Sequence, residues 1–231
     1  MNFTSVIERL SLNQKKFVAE VIGTFIVVVL ATGSVVIDTK MNGIFGIPFI
    51  AFAPFVGVAI GVHMFGKVSM AHFNPAVTLG FLITKHITKR LLVLYISAEI
   101  IGALFGSIFV KYAIGSEAHL GSNSPNYVYP IPLIFGVEVL ASALLMSVIL
   151  VVVHTKGLRG FGAIAIGGLV GLDILFLAFI SGASMNPARS LAPALLSGVL
   201  VNLWLYLTAT FIGTCIIAYI YRKTISDINN Q

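Results

Sequence analysis

The chain has 231 residues, 58% of them hydrophobic and 10% charged, with a mean hydropathy of +1.03. Soluble domains carry about 25% charged residues, so a surface facing water all round is excluded and a bilayer is the natural solvent. The net charge of +6 is not gathered into a patch or a basic helix that would bind nucleic acid; the cations sit in short gaps between apolar runs, as membrane topology places them.

The first sixteen residues are polar and basic without a short apolar core, so no cleavable signal is read. A helix needs about 20 apolar residues to cross the hydrocarbon core. The first such run is 17–37, with Glu20 and Thr24 in AEVIGTF, and the second is 48–66. A shorter run, about 74–84, opens with Asn74-Pro75-Ala76 in FNPAVTL. The third span, 91–113, carries Glu99, Gly102 and Gly106 as a stripe suited to helix contact. The fourth, 131–153, carries Glu138 and Ser142 in GVEVLAS. The fifth, 161–180, has many glycines and one acid, Asp173, which faces a pore vestibule or pairs with a neighbouring helix. A second short run, about 186–197, opens with Asn186-Pro187-Ala188 in SMNPARSL. The sixth span, 199–221, contains the lone cysteine, Cys215, read as a buried thiol. A single Cys excludes an intrachain disulfide and a multi-Cys metal site. Each short run is near 15 Å long at about 1.5 Å per residue, half a span. The expected architecture is an all-α membrane protein of one domain, 1–231: six transmembrane helices plus two re-entrant half-helices.

Six spans place Arg9, Lys15, Lys16, Lys67, Lys85, Lys89, Arg90, Lys156, Arg159, Arg222 and Lys223 on one side, and Lys40 and Lys111 on the other. The positive-inside rule makes both termini cytoplasmic, and short loops and tails suggest a cell membrane. The halves, about 16–113 and 131–222, repeat the order Glu, Asn-Pro-Ala, Gly: Glu20, Asn74, Gly102 and then Glu138, Asn186, Gly213. Three spans separate equivalent points, so the repeat is inverted, which places a site near the midplane between interrupted helices.

Asn caps a helix N-terminus, and Pro suits the first helical position, where its missing N–H is not needed. Asn74-Pro75 and Asn186-Pro187 therefore read as helix starts meeting head to head. Their amides can donate to a passing water, while two positive dipole ends repel cations and a hopping proton. The segments before them run extended, and the carbonyls of Ala71, His72, Phe73, Gly182, Ser184 and Met185 form a ladder of acceptors. Backbone like this is tolerated at membrane depth only inside protein or beside a wet cavity. Glu20 and Glu138 are read as braces for the loop amides rather than a proton relay. His72 acts through its carbonyl, with its ring a candidate gate near neutral pH; His63 has a hydrogen-bonded packing role. No nucleotide loop, metal cluster, catalytic triad or paired acid and base is found. No enzyme activity and no cofactor are expected.

With both boxes, both Glu helices and six spans over about 16–222, the chain resembles the aquaporins, the major intrinsic protein family. The resemblance implies a right-handed bundle, one pore per subunit and a homotetramer. It also implies that Arg189 lines a selectivity filter with Ile174, Ala183 and either Pro54 or Phe55. Strict water channels tend to have His where Ile174 stands, and an aromatic at the Pro54 position. GASMNPARSL is similar to the plant nodulin-like intrinsic proteins, associated with glycerol, urea, ammonia or metalloid hydroxides as well as water. Glycerol facilitators typically have Asp after the Arg, and this chain has Ser190; Ala194 and Tyr206 follow the water channels and Leu207 does not. Met70 replaces a usual Gly and Lys67 a usual His, which bears on the shape of the first loop. The expected function is a passive channel conducting water in single file and excluding ions and protons. The alternatives are a facilitator of small neutral solutes, a coupled secondary transporter using Asp173, Glu20 or Glu138, and a structural junction protein with a vestigial pore.

Overall fold

The computed structural model describes residues 10–155 and 157–229; Arg9 and Lys156, both used in the topology argument, lie outside the described residues. Among the described residues, eight helices of nine or more residues follow one another: α1 Leu12–Lys40, α2 Gly46–Ser69, α3 Pro75–Ile83, α4 Lys89–Phe109, α5 Ile131–His154, α6 Gly162–Ser181, α7 Pro187–Ser197 and α8 Leu203–Asn229. A π-helical turn, Val110–Ile114, prolongs α4, and Glu117–Gly121 form a turn in which Ala118, His119 and Leu120 are left-handed. Six of the helices are long and apolar enough to span: α1, α2, α4 with its π turn, α5, α6 and Leu203–Thr224 of α8. The short ones, α3 and α7, are the two runs that open with Asn-Pro-Ala.

Local chemistry sets the ends. Ser11 caps α1 through a reciprocal pair: Gln14 N–H donates to Ser11 Oγ (3.3 Å), and Ser11 N–H donates to Gln14 Oε1 (2.8 Å). Asp38 Oδ1 accepts from the N–H groups of Phe45 (3.0 Å) and Gly46 (2.8 Å), which closes the turn into α2. The last span begins later than hydropathy alone suggests. Gly198 ends α7 in a left-handed cap, and Leu203 N–H bonds the Leu200 carbonyl at 3.0 Å, so residues 199–202 stay outside α8.

The inverted repeat is visible in the packing. α1 lies on α2 and α4 as α5 lies on α6 and α8, and α2 meets α6 across the two halves. Glycine allows the closest approaches. A Cβ at Gly102 would lie 2.3 Å from the Val21 carbonyl oxygen, and one at Gly213 would lie 2.1 Å from that of Val139. The buried hydroxyl residues Thr24 and Ser142 face these same glycines, and neither hydroxyl has a hydrogen-bond partner. Their place in the repeated Glu-x-x-x-hydroxyl pattern is therefore one of size. Polar groups are drawn into the interior among the apolar core and large apolar side chains face outward: Glu20, Glu99, Glu138, Thr24 and Ser142 are fully buried, while Phe52, Phe105, Leu140 and Phe176 are exposed. That is the arrangement of a multi-pass membrane protein.

Candidate pore site

The half-helices α3 and α7 start at Asn74 and Asn186. Asn74 Oδ1 accepts from Ala76 N–H at 2.9 Å; Asn186 Oδ1 accepts from Ala188 N–H at 3.0 Å and Arg189 N–H at 3.3 Å. Pro75 and Pro187 occupy the first helical positions, where no N–H is needed. Each asparagine also reaches across the repeat: Asn74 Nδ2 donates to the Met185 carbonyl and Asn186 Nδ2 to the Phe73 carbonyl, both at 2.8 Å. One hydrogen of each amide thus holds the opposite box, and one remains for a permeating molecule. The Phe73 and Met185 carbonyls are correspondingly engaged.

The loops before the boxes share one conformation. Met70, Ala71 and Phe73 have positive φ, and so do their equivalents Gly182, Ala183 and Met185. Left-handed backbone is unfavourable for residues with a Cβ, and three sets of partners hold it. Glu20 accepts from His72 N–H (3.0 Å) and Phe73 N–H (2.7 Å). Glu138 accepts from Ser184 N–H (2.9 Å to the nearer oxygen) and Met185 N–H (3.3 Å). Ser69 and Ser181 hydroxyls each accept an N–H two residues on, at 3.1 Å. Tyr95 and Tyr206 hydroxyls donate to the Ser69 and Ser181 carbonyls at 2.8 and 2.6 Å. Met70 takes the left-handed cap of α2 (φ 68°) without a glycine, and its N–H bonds the Gly66 carbonyl at 3.1 Å.

Two cavities of about 40 Å³ lie end to end along this path, and both include Val27, Val58, Leu145, Val170 and Asn186 in their walls. One is closed by Ala71, His72, Phe73 and Asn74, the other by Ala183, Ser184, Met185 and Arg189. Each admits water-sized molecules. One wall is polar loop, and the facing wall is aliphatic. Beyond the first cavity a vestibule of about 750 Å³ opens among His63, Lys67, Met70, Val152 and Val153.

Pro54, Ile174, Ala183 and Arg189 line the same cavity. Phe55 does not: its side chain lies against the faces of Gly167 and Gly171 on α6, where their missing Cβ atoms leave room. Arg189 is buried, and its Nη1 donates to Asn123 Oδ1. Ser190 Oγ donates to the same oxygen at 2.8 Å, and Asn123 Nδ2 donates to the Gly182 carbonyl at 3.0 Å. Asn123 was invisible to sequence reading, because nothing in SNSPNYV marks a pore residue. Tyr95, Tyr206, Ser69 and Ser181 were legible only by extending the repeat beyond its motifs.

Other sequence expectations need correction. The His72 ring is not free to swing: it stacks on Phe81 (4.5 Å between centroids), meets Tyr95 edge-on (4.6 Å), and its Nδ1 lies 2.8 Å from Thr78 Oγ1. Thr78 in turn bonds Glu99 Oε1 at 2.5 Å, so Glu99 belongs to this network as well as to the glycine stripe. His63 is exposed at the vestibule rather than packed. Asp173 is buried beside Ile174, lines neither narrow cavity nor the vestibule, and its Oδ2 has no hydrogen-bond partner. No cluster of three or more His, Cys, Asp or Glu suited to a metal is found among the described residues.

Comparison with known proteins adds an independent line. A family model described as major intrinsic protein matches residues 7–221. The chain is 32% identical over 210 residues to Aquaporin NIP1-1 of Zea mays, covering 90% of this chain and 74% of that one. It is 34% identical over 214 residues to Glycerol uptake facilitator protein-like 6 of Lactiplantibacillus plantarum, covering 90% and 97%. Its fold is similar to that in the X-ray structure of the aquaglyceroporin from Plasmodium falciparum, with a TM-score of 0.79, 23% identity, and 94% and 98% of the two chains covered.

Proposed function

The chain belongs to the major intrinsic protein family, and from that premise we propose that its pore conducts water in single file and excludes ions and protons. It is a channel of the aquaporin family and not an enzyme. The observation that carries the water reading is the joint placement of Asn74, Asn186 and Arg189 along two small adjoining cavities. At the boxes a passing water accepts from one free hydrogen of each amide. The opposed N-terminal ends of α3 and α7 hold positive potential there, which disfavours cations and breaks proton hopping, as in aquaporin-type pores generally. Arg189 adds a fixed cation at the second narrow point. The carbonyls of Ala71, His72 and Ser184 supply acceptors, while that of Gly182 is held by Asn123, and the aliphatic wall keeps the molecule from binding too tightly. We place both termini in the cytoplasm, the protein in the cell membrane, and four subunits in the assembly, each with its own pore.

A second reading, facilitated passage of glycerol, urea, ammonia or metalloid hydroxides, is favoured by Ile174 and Ala183. An aliphatic and a small residue beside Arg189 leave an apolar face for a carbon backbone. The relative named as a glycerol uptake facilitator is in keeping with this. Stopped-flow light scattering on proteoliposomes separates the two. Under an impermeant osmolyte, fast shrinkage with little glycerol entry is expected. Fast glycerol entry transfers the assignment to the facilitator reading. Arg189→Ala is expected to keep water flux and to raise glycerol flux severalfold. A coupled transporter would lose uptake when Asp173, Glu20 or Glu138 becomes its amide; normal flux in these variants rejects it.

A further inference from the structure

Away from the pore, two histidines from different elements face each other. His86 follows α3 and His154 is the last residue of α5. Their Nε2 atoms are 2.9 Å apart, and the ring planes are inclined by 71°. Both rings are held on their far sides. His154 Nδ1 lies 2.7 Å from the Leu150 carbonyl, which can only accept, so this nitrogen carries the hydrogen and Nε2 offers a lone pair. His86 Nδ1 lies 2.7 Å from Thr84 Oγ1, and that hydroxyl lies 3.0 Å from the Gly80 carbonyl. Phe81 packs edge-on against His86, and Tyr221 lies against His154 at 4.7 Å between centroids. The water path uses none of these groups.

We propose that His86 and His154 form a binding site for a divalent transition-metal ion, Cu²⁺ or Ni²⁺, with water in the remaining positions. The gap is the first argument. Metal–nitrogen bonds of about 2.0–2.1 Å subtend about 90° across 2.9 Å. That is the angle between neighbouring ligands in tetragonal or octahedral geometry, which Cu²⁺ and Ni²⁺ favour with nitrogen and oxygen ligands. Tetrahedral zinc needs a wider gap. The second argument is the support behind each ring, since a ligating histidine is oriented by a hydrogen bond from its other nitrogen to an oxygen. Here both oxygens are in place. The third is proton balance. Without metal, the His86 Nε2 hydrogen lies between the rings and the Thr84 hydroxyl donates to His86 Nδ1. On binding, that proton moves to Nδ1, Nδ1 donates to Thr84 Oγ1, and the hydroxyl turns to the Gly80 carbonyl. Every polar group stays paired and the neutral pair releases no proton. The ion would tie the end of α3 to the end of α5, next to Val152 and Val153 of the vestibule wall.

The test uses the untagged full chain in detergent, titrated with CuCl₂ or NiCl₂ in a calorimeter. One equivalent per chain is expected, with copper tighter than nickel. His86→Ala and His154→Ala should each weaken binding by about tenfold or more, with water flux in proteoliposomes unchanged as the check on folding. Binding that survives both substitutions, or none in the unaltered chain, overturns the site. Electron paramagnetic resonance of the copper-loaded chain needs no variant: coupling to two imidazole nitrogens is expected, and one or none overturns it.

Discussion

At Arg189 a guanidinium is buried with a neutral amide, Asn123, as its partner. Asn123 serves three groups at once: its oxygen accepts from Arg189 and Ser190, and its nitrogen donates to the Gly182 carbonyl. It therefore fixes the cation and the loop that supplies Ala183 in one geometry. Asn123→Ala removes the acceptor and leaves a buried charge without it, which costs roughly 1–3 kcal/mol. The expected result is a lower unfolding temperature in detergent and a loss of discrimination between water and urea in flux assays. Asn123→Asp keeps both acceptances and should retain discrimination. The same reasoning applies at Glu138, whose carboxylate holds two buried N–H groups. Glu138→Ala orphans both, at about 1–3 kcal/mol each; Glu138→Gln keeps one acceptor and should lose clearly less. The boxes themselves were legible in the sequence, because capping chemistry and the fixed φ of proline act within three residues. Asn123 was not, because its partners lie 59 to 67 positions away along the chain.

Among the elements, the half-helices owe their ends to local signals and their depth to distant ones. Asn74 and Asn186 start them without help from elsewhere. What holds them in place is contact with the other half: α3 packs on α8, and α7 on α4. Gly213 and Gly102 set how close the spans behind them come. Gly213→Ala places a carbon 2.1 Å from the Val139 carbonyl oxygen, so α8 must move away from α5. A stability loss of about 1–3 kcal/mol follows from such overpacking, read as a shift in thermal unfolding, with a smaller water flux because α8 carries Tyr206. Span existence was plain from hydropathy. The start of α8 was not, because Val199, Leu200 and Val201 are as apolar as the helix that follows and only the turn at Leu200 excludes them. The choice between Pro54 and Phe55 was equally beyond the sequence, since it depends on which side of α2 meets the glycines of α6.

For the whole molecule, the inverted repeat turns one set of contacts into two, related by a half-turn and fitted to opposite faces of the membrane. The proposed orientation rests on the cation count. Lys15, Lys16, Lys67, Lys85, Lys89, Arg90, Arg222 and Lys223 all fall on one side of the six spans. A cysteine placed at Thr155 should accordingly resist a membrane-impermeant maleimide in intact cells, and one at Tyr127 should react; the reverse pattern would invert the topology. The crossed asparagines carry a consequence of another kind, for the order of manufacture. A ribosome completes residues 1–113 long before residue 186 exists. Until then the Asn74 amide has no Met185 carbonyl to hold, and Phe73 has no Asn186. The first half therefore waits in the membrane as an unfinished clasp, and the pore comes into being only when the last third of the chain arrives to fasten it.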